Sequence, residues 1–162
     1  MFKTNFLNHI TKKEQILDAI LSVGVCSIKQ INNYSLSHTD WHLSEKWGRP
    51  YWPLVEDEIK KHVEEISKIC NGGNCLIDSF WVQQYKDEDY HDWHFHGNTM
   101  FSSIYYVELP TETQTTFRFL NQEFFIECKE GDVITFPSYL SHCSKPNKSG
   151  SRKTVIAFNF SF

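Results

Sequence analysis

The sequence predicts a mainly β domain with N-terminal helices, its core an antiparallel sandwich or jelly roll. Three observations carry this. Helical patterning is confined to the first half of the 162 residues. From Cys75 onward the apolar period shortens to two or to short runs, and those runs are joined by brief turn signals. One domain is expected over 1–162, with 1–74 a mainly helical support region and 75–162 the β core.

Thr11 and Glu14 form a capping-box pattern ahead of the apolar stripe Ile16, Leu17, Ile20 and Leu21, and Gly24 suits the stop. A second helix has Pro53 near its start and Val55, Ile59, Val63, Ile66 and Ile69 on one face. Glu56–Lys60 and Glu64–Lys68 add i, i+4 charge pairs, and Asn71-Gly72-Gly73 ends it. The segment 32–52 has no clear period and reads as a loop with room for a short strand. Strands are expected at 76–85, 102–109, 115–120, 123–128, 132–136 and 154–162. Turns are expected at Asn121-Gln122 and Glu130-Gly131-Asp132.

A net charge of −4 without a basic block gives no support for nucleic-acid binding. The five cysteines are scattered, with no CxxC, and read as free thiols of a reducing compartment. No run reaches the ~20 apolar residues of a membrane span, and the N-terminus lacks a signal-peptide core, so a cytoplasmic location is expected. Oligomeric state is not legible.

Chemistry concentrates in "DYHDWHFHGNTM", residues 89–100. His94 and His96 are two apart, so on a strand both leave the same face and can meet one ion. A third histidine, His142, follows the strand that ends in Phe136-Pro137, and Arg152 opens the last strand. His91, at an odd offset from His94, is expected on the opposite face. His62 is expected on the charged side of the second helix, and His9, His38 and His42 lie far from the motif. Asp87-Glu88-Asp89 reads as a polar turn, with a lid as the alternative. Trp81 and Trp93 read as packing residues, and Ser103 and Tyr105 face either pocket or core.

In its stretches His94-Phe95-His96, SSIYYVELP, GDVITFPSYLSH and RKTVIAFN, the chain resembles the iron(II)- and 2-oxoglutarate-dependent dioxygenases, above all their small H-x-H branch. Tyr85 stands nine positions before His94, as a tyrosine does in the prolyl hydroxylase pattern. The resemblance covers about 75–162 and implies a double-stranded β-helix (jelly roll, cupin-like), an Fe(II) ion, 2-oxoglutarate as cosubstrate and O₂. It implies further that two histidines and a third ligand hold one face of the ion, leaving three positions open. Arg152 would then grip the far carboxylate of 2-oxoglutarate through its planar fork. Thr154 and Tyr85 would add hydroxyl donors, and Asn98 is a candidate contact at the open coordination positions.

The usual motif is H-x-D, and His96 stands where that aspartate would be. Three ligand sets stay open: His94, His96 and His142 together; Asp92 as the carboxylate, since 92, 94 and 96 share a strand face; or His94 and His142 alone with His96 lining the pocket. The reaction implied is hydroxylation of a peptide side chain, an amino acid or a small metabolite. The rivals are a three-histidine dioxygenase that uses no 2-oxoglutarate and a jelly-roll binding protein without turnover. Succinate formation separates them.

Overall fold

The computed structural model describes residues 1–24, 26–29, 35–43 and 48–162, with the backbone alone at 26–29 and 35–36. Among these, the N-terminal half forms β1 (Phe2–Asn5), α1 (His9–Ser22), β2 (Cys26–Lys29), β3 (Ser35–Thr39) and α2 (Trp52–Ile69). Then follow β4 (Leu76–Tyr85), β5 (Tyr90–His94), β6 (Phe101–Glu108), β7 (Thr116–Phe119) and β8 (Gln122–Phe125). The chain ends with β9 (Asp132–Pro137), β10 (Ser141–Ser144) and β11 (Lys153–Ser161). Every pairing is antiparallel, in the order β1-β9-β6-β11-β4-β3-β5-β10-β7-β8 with β2 on β3. This is the expected jelly-roll sandwich with N-terminal helices. The part of the expected 32–52 loop at 32–34 and 44–47 lies outside the described residues.

Strand alternation divides the side chains between two cores. On one face of the sheet, Val82, Tyr105, Val133, Ile156 and Phe158 pack against Ile16 and Ile20 of α1 and Val55, Ile59, Val63 and Ile66 of α2. On the other, Tyr85, Ile104, Tyr106, Phe117, Ile134, Phe136 and Val155 form a second cluster inside the barrel. Both faces of β6, β9 and β11 are therefore buried, and a cavity lined by Tyr85, Ile104, Phe136 and Val155 belongs to the inner one.

The helices depart from expectation at their ends. The first begins at His9, and no side chain caps it; Thr11 Oγ1 donates to the Asn8 carbonyl instead. The reason is upstream: β1 is zipped to β9, and the Phe6 N–H donates to the Gly131 carbonyl, which fixes where the chain turns. Gly131 itself has φ +88°, and a Cβ there would crowd the His9 ring at 3.0 Å. Leu21 and Ile69, at the helix ends, are exposed. The Glu56–Lys60 pair closes at 2.5 Å, whereas Glu64–Lys68 is not among the ion pairs of the described residues.

His62 corrects a second expectation. It is 6% exposed, its ring bridging Thr4 Oγ1 at 2.9 Å and Thr135 Oγ1 at 2.7 Å. Position 62 lies three after Ile59 and four before Ile66, so it falls within the apolar stripe. The β7–β8 hairpin turns one residue earlier than expected, at Leu120-Asn121, both with positive φ as a two-residue primed turn requires. The 87–89 segment is the expected polar turn: Asp89 Oδ2 accepts the Lys86 N–H at 2.8 Å, and Asn147 exchanges backbone hydrogen bonds with residues 88 and 89. Cys70, Cys75, Cys128 and Cys143 are free thiols. No helix among the described residues is long and apolar enough to cross a membrane.

Candidate metal centre

Two strands set the centre. β5 and β10 pair so that His94 faces His142 directly, and β10 is held on its other side by β7, with Phe117 opposite His142. His96 follows β5 and is fixed by its own N–H, which donates to the Ser138 carbonyl at 2.9 Å. One ligand atom from each of His94, His96 and His142 falls within 4.8 Å of the others. The sequence-expected trio thus converges on one point.

Their hydrogen bonds suit a metal. His94 Nδ1 donates to the Asp92 carbonyl at 2.8 Å, and His142 Nδ1 to the Leu140 carbonyl at 3.0 Å. A carbonyl accepts only, so both protons sit on Nδ1 and both Nε2 lone pairs are left for an ion. Burial keeps all three rings neutral. It lowers the pKa of His94, takes His96 down to about 4 and drives His142 well below its usual value. A neutral imidazole is the ligand form, so the donor set fits a divalent cation.

His91 overturns the expectation that it lies on the opposite face. Residues His91 to His94 of β5 span only Ser144 to His142 of β10, so the strand bulges and the odd offset is absorbed. The His91 ring lies flat on His94, centroids 3.9 Å apart and planes 11° from parallel. Asp92, the alternative carboxylate, is exposed, spends Oδ1 on the Trp93 N–H at 2.7 Å and stands outside the histidine group.

The cosubstrate residues need a larger correction. Arg152 does not line the cavity; Nε and Nη2 grip the Glu108 carboxylate at 2.8 and 2.9 Å on the other face of the sheet. Thr154 shares that face and also donates to Glu108. Asn98 is exposed and away from the cavity wall. The cause is strand parity. Lys153 pairs with Tyr85 across β11–β4, and 153, 155, 157 and 159 point inward, so 152 and 154 point out.

Lys153 is the residue that sequence reasoning missed. It is 1% exposed, donates from Nζ to Ser144 Oγ at 3.0 Å, and sits 5.1 Å from the centre of the Tyr85 ring. Desolvation brings its pKa down to about 7. Tyr85 lines the same cavity, as do Gln83, Ser144 and Asn159, with Trp81, Phe136 and Val155 as apolar walls. Among the described lining residues there is no Asp or Glu. Among the described lining residues, the Lys153 ammonium shares the cavity with the three imidazoles and no carboxylate.

No protein-family model and no curated protein matches this chain. Solved structures do. The viral collagen prolyl hydroxylase of Paramecium Bursaria Chlorella virus-1, solved with 2-oxoglutarate, superposes with a TM-score of 0.72 over 98% of this chain and 94% of that one, at 19% identity. A prolyl-4-hydroxylase of Pseudomonas putida gives 0.70 over 99% and 91%, at 12% identity. HygX of Streptomyces hygroscopicus, solved with nickel, 2-oxoglutarate and hygromycin B, gives 0.68 over 99% and 82%, at 8% identity. The jelly-roll fold of this chain is the one these solved structures share. At such identities the likeness concerns architecture, and what this chain does rests on its own side chains.

Proposed function

We propose that this chain is an Fe(II)- and 2-oxoglutarate-dependent dioxygenase that hydroxylates an unactivated C–H bond. The observation that carries the reading is the convergence of His94, His96 and His142 on one point in a cavity that also holds the Lys153 ammonium. Fe(II) held there would supply oxygen activation coupled to decarboxylation of 2-oxoglutarate. His94, His96 and His142 would hold the ion as neutral imidazole ligands. Lys153 and the Tyr85 hydroxyl bind the far carboxylate, the role the sequence suggested for Arg152. Ser144, bonded to Lys153, keeps the ammonium aimed into the cavity. Phe136 and Trp81 exclude water beside the ligands.

Dicarboxylate binding also answers a charge problem. Three neutral ligands leave a divalent ion uncompensated, and Lys153 adds to the excess, so a dianion is the complementary occupant. The substrate is a peptide side chain, an amino acid or a small metabolite. The test is uncoupled turnover: purified protein with Fe(II), O₂ and 2-oxoglutarate, assayed for succinate. Succinate that disappears in His142→Ala supports the reading. A second reading is favoured by the same neutral ligand set: a three-histidine dioxygenase whose substrate itself carries the carboxylate bound by Lys153. It predicts oxygen uptake without succinate. Binding of 2-oxoglutarate with neither oxygen uptake nor succinate would mark a binding protein.

A further inference from the structure

The bulge in β5 leaves one imidazole in the cavity that is not needed as a ligand. His91 Nδ1 lies 2.9 Å from Gln83 Nε2, and the same amide nitrogen donates to Ser37 Oγ at 3.1 Å. Gln83 and Ser37 are both buried, so the amide is held in place from behind. An amide N–H donates, so His91 Nδ1 accepts, and the proton of the neutral ring resides on Nε2. That is the reverse of His94 and His142, whose protons sit on Nδ1. Among the described residues, His91 Nε2 has no hydrogen-bond partner in the protein. The ring lies flat against His94, and its cross-strand neighbour is Ser144, the acceptor of the Lys153 ammonium. His91, the metal ligands and the buried cation thus line one cavity.

We propose that His91 binds the anionic cosubstrate, held by Gln83 as an Nε2–H donor to an oxygen of 2-oxoglutarate in the shared cavity. The assignment rests on the function proposed above. Its logic is that a three-histidine face supplies no negative charge and no acceptor, so an N–H beside the ion finds its partner in the incoming oxo acid. The Gln83 amide and the parallel stack against His94 together hold the ring in place.

Two measurements test it. In the ¹⁵N-labelled protein without metal, long-range ¹H–¹⁵N spectra report the tautomer of each histidine. His91 is expected as Nε2–H, and His94 and His142 as Nδ1–H. In Mn(II)-loaded protein, calorimetric titration with 2-oxoglutarate should show binding weakened about ten-fold or more by His91→Phe, which keeps a flat ring on His94 but removes the donor. Mn(II) affinity should stay within about two-fold of wild type. An Nδ1–H tautomer at His91 in the wild type, unchanged 2-oxoglutarate affinity in His91→Phe, or parallel loss of Mn(II) would each overturn the assignment. If the wild-type Mn(II) protein takes up no 2-oxoglutarate, the cosubstrate reading itself fails; if wild type binds and His91→Phe binds equally, only the role of His91 does.

Discussion

Replacing Lys153 by Met should make the protein without metal or cosubstrate more stable while disabling its anion site. The ammonium is 1% exposed, and burial brings its pKa from 10.5 to about 7. The unfolded chain holds this proton up to about pH 10.5, whereas the folded chain releases it near 7. Between those values the unfolded state binds more protons, so stability rises with pH by up to about 1.4 kcal/mol per unit. Read downward, the contribution is complete above the unfolded pKa and lost as pH falls through the folded one, with no further change once both states are protonated. At pH 7 the cost is about 4 kcal/mol, and Met of similar length removes it. Urea unfolding of the metal-free protein at pH 7, 8 and 9 should show wild-type stability climbing and Lys153→Met starting higher and lacking that climb. In the Mn(II)-loaded protein, 2-oxoglutarate affinity should fall at least about thirty-fold, the lower end for removing one partner of a buried charge pair. Equal stability and slope in the two proteins, or unchanged affinity, would refute the placement of the buried cation as the anion anchor.

The outward-turned Arg152 gives the complementary result: Arg152→Met should cost at most about 1 kcal/mol, as a partly exposed ion pair does, and leave the KM for 2-oxoglutarate unchanged. His94→Ala and His142→Ala should each abolish Co(II) binding, followed by the visible absorption of the bound ion, while the fold persists by circular dichroism. His62, pushed by burial to about 4, resists protonation that the unfolded chain accepts near 6.5. Stability is therefore withdrawn as pH falls from 6.5 to 4, by about 3 kcal/mol at the lower end. Thermal unfolding of His62→Gln across that range should show a correspondingly shallower loss than wild type.

Which parts of this were legible in the sequence follows from which faces are buried. The strands of the β core were readable because their runs are apolar and their turns polar, and the ligand trio because two histidines stand close together in the chain; the expected shared strand face does not hold, since β5 ends at His94 and the Ser138 carbonyl places His96. Arg152 was misplaced because β11 is covered on both sides: Val155 and Ala157 face the cavity while Ile156, Phe158 and Phe160 face the helices. Alternation then carries no contrast, and only the pairing of Lys153 with Tyr85 says which of two adjacent cations turns inward. His91 was hidden for a different reason. A bulge is a property of two strands together, and nothing in "YHDWH" announces that three steps on β5 will match two on β10. His62 was legible in principle, since its spacing from Ile59 and Ile66 matches the buried stripe, and its polarity masked that signal.

The departure from H-x-D bears on how the ion and the cosubstrate depend on each other. With four imidazoles and one ammonium around the cavity, no Asp or Glu among the described lining residues offsets a divalent charge. A unit charge about 4 Å away is worth about 4 kcal/mol at the effective dielectric of partly buried sites, so a dianion should tighten the ion strongly, and the ion the dianion to the same extent. His96→Asp installs a fixed negative charge at the third position. Mn(II) should then bind more tightly in the absence of 2-oxoglutarate, and adding 2-oxoglutarate should tighten it by a smaller factor than in wild type. Titrating Mn(II) with and without saturating 2-oxoglutarate in both proteins gives the two coupling energies directly. Were the coupling the same in both, the charge of the ligand set would not be what ties the ion to its cosubstrate, and the positioning donors around Tyr85, His91 and Lys153 would have to carry that linkage alone.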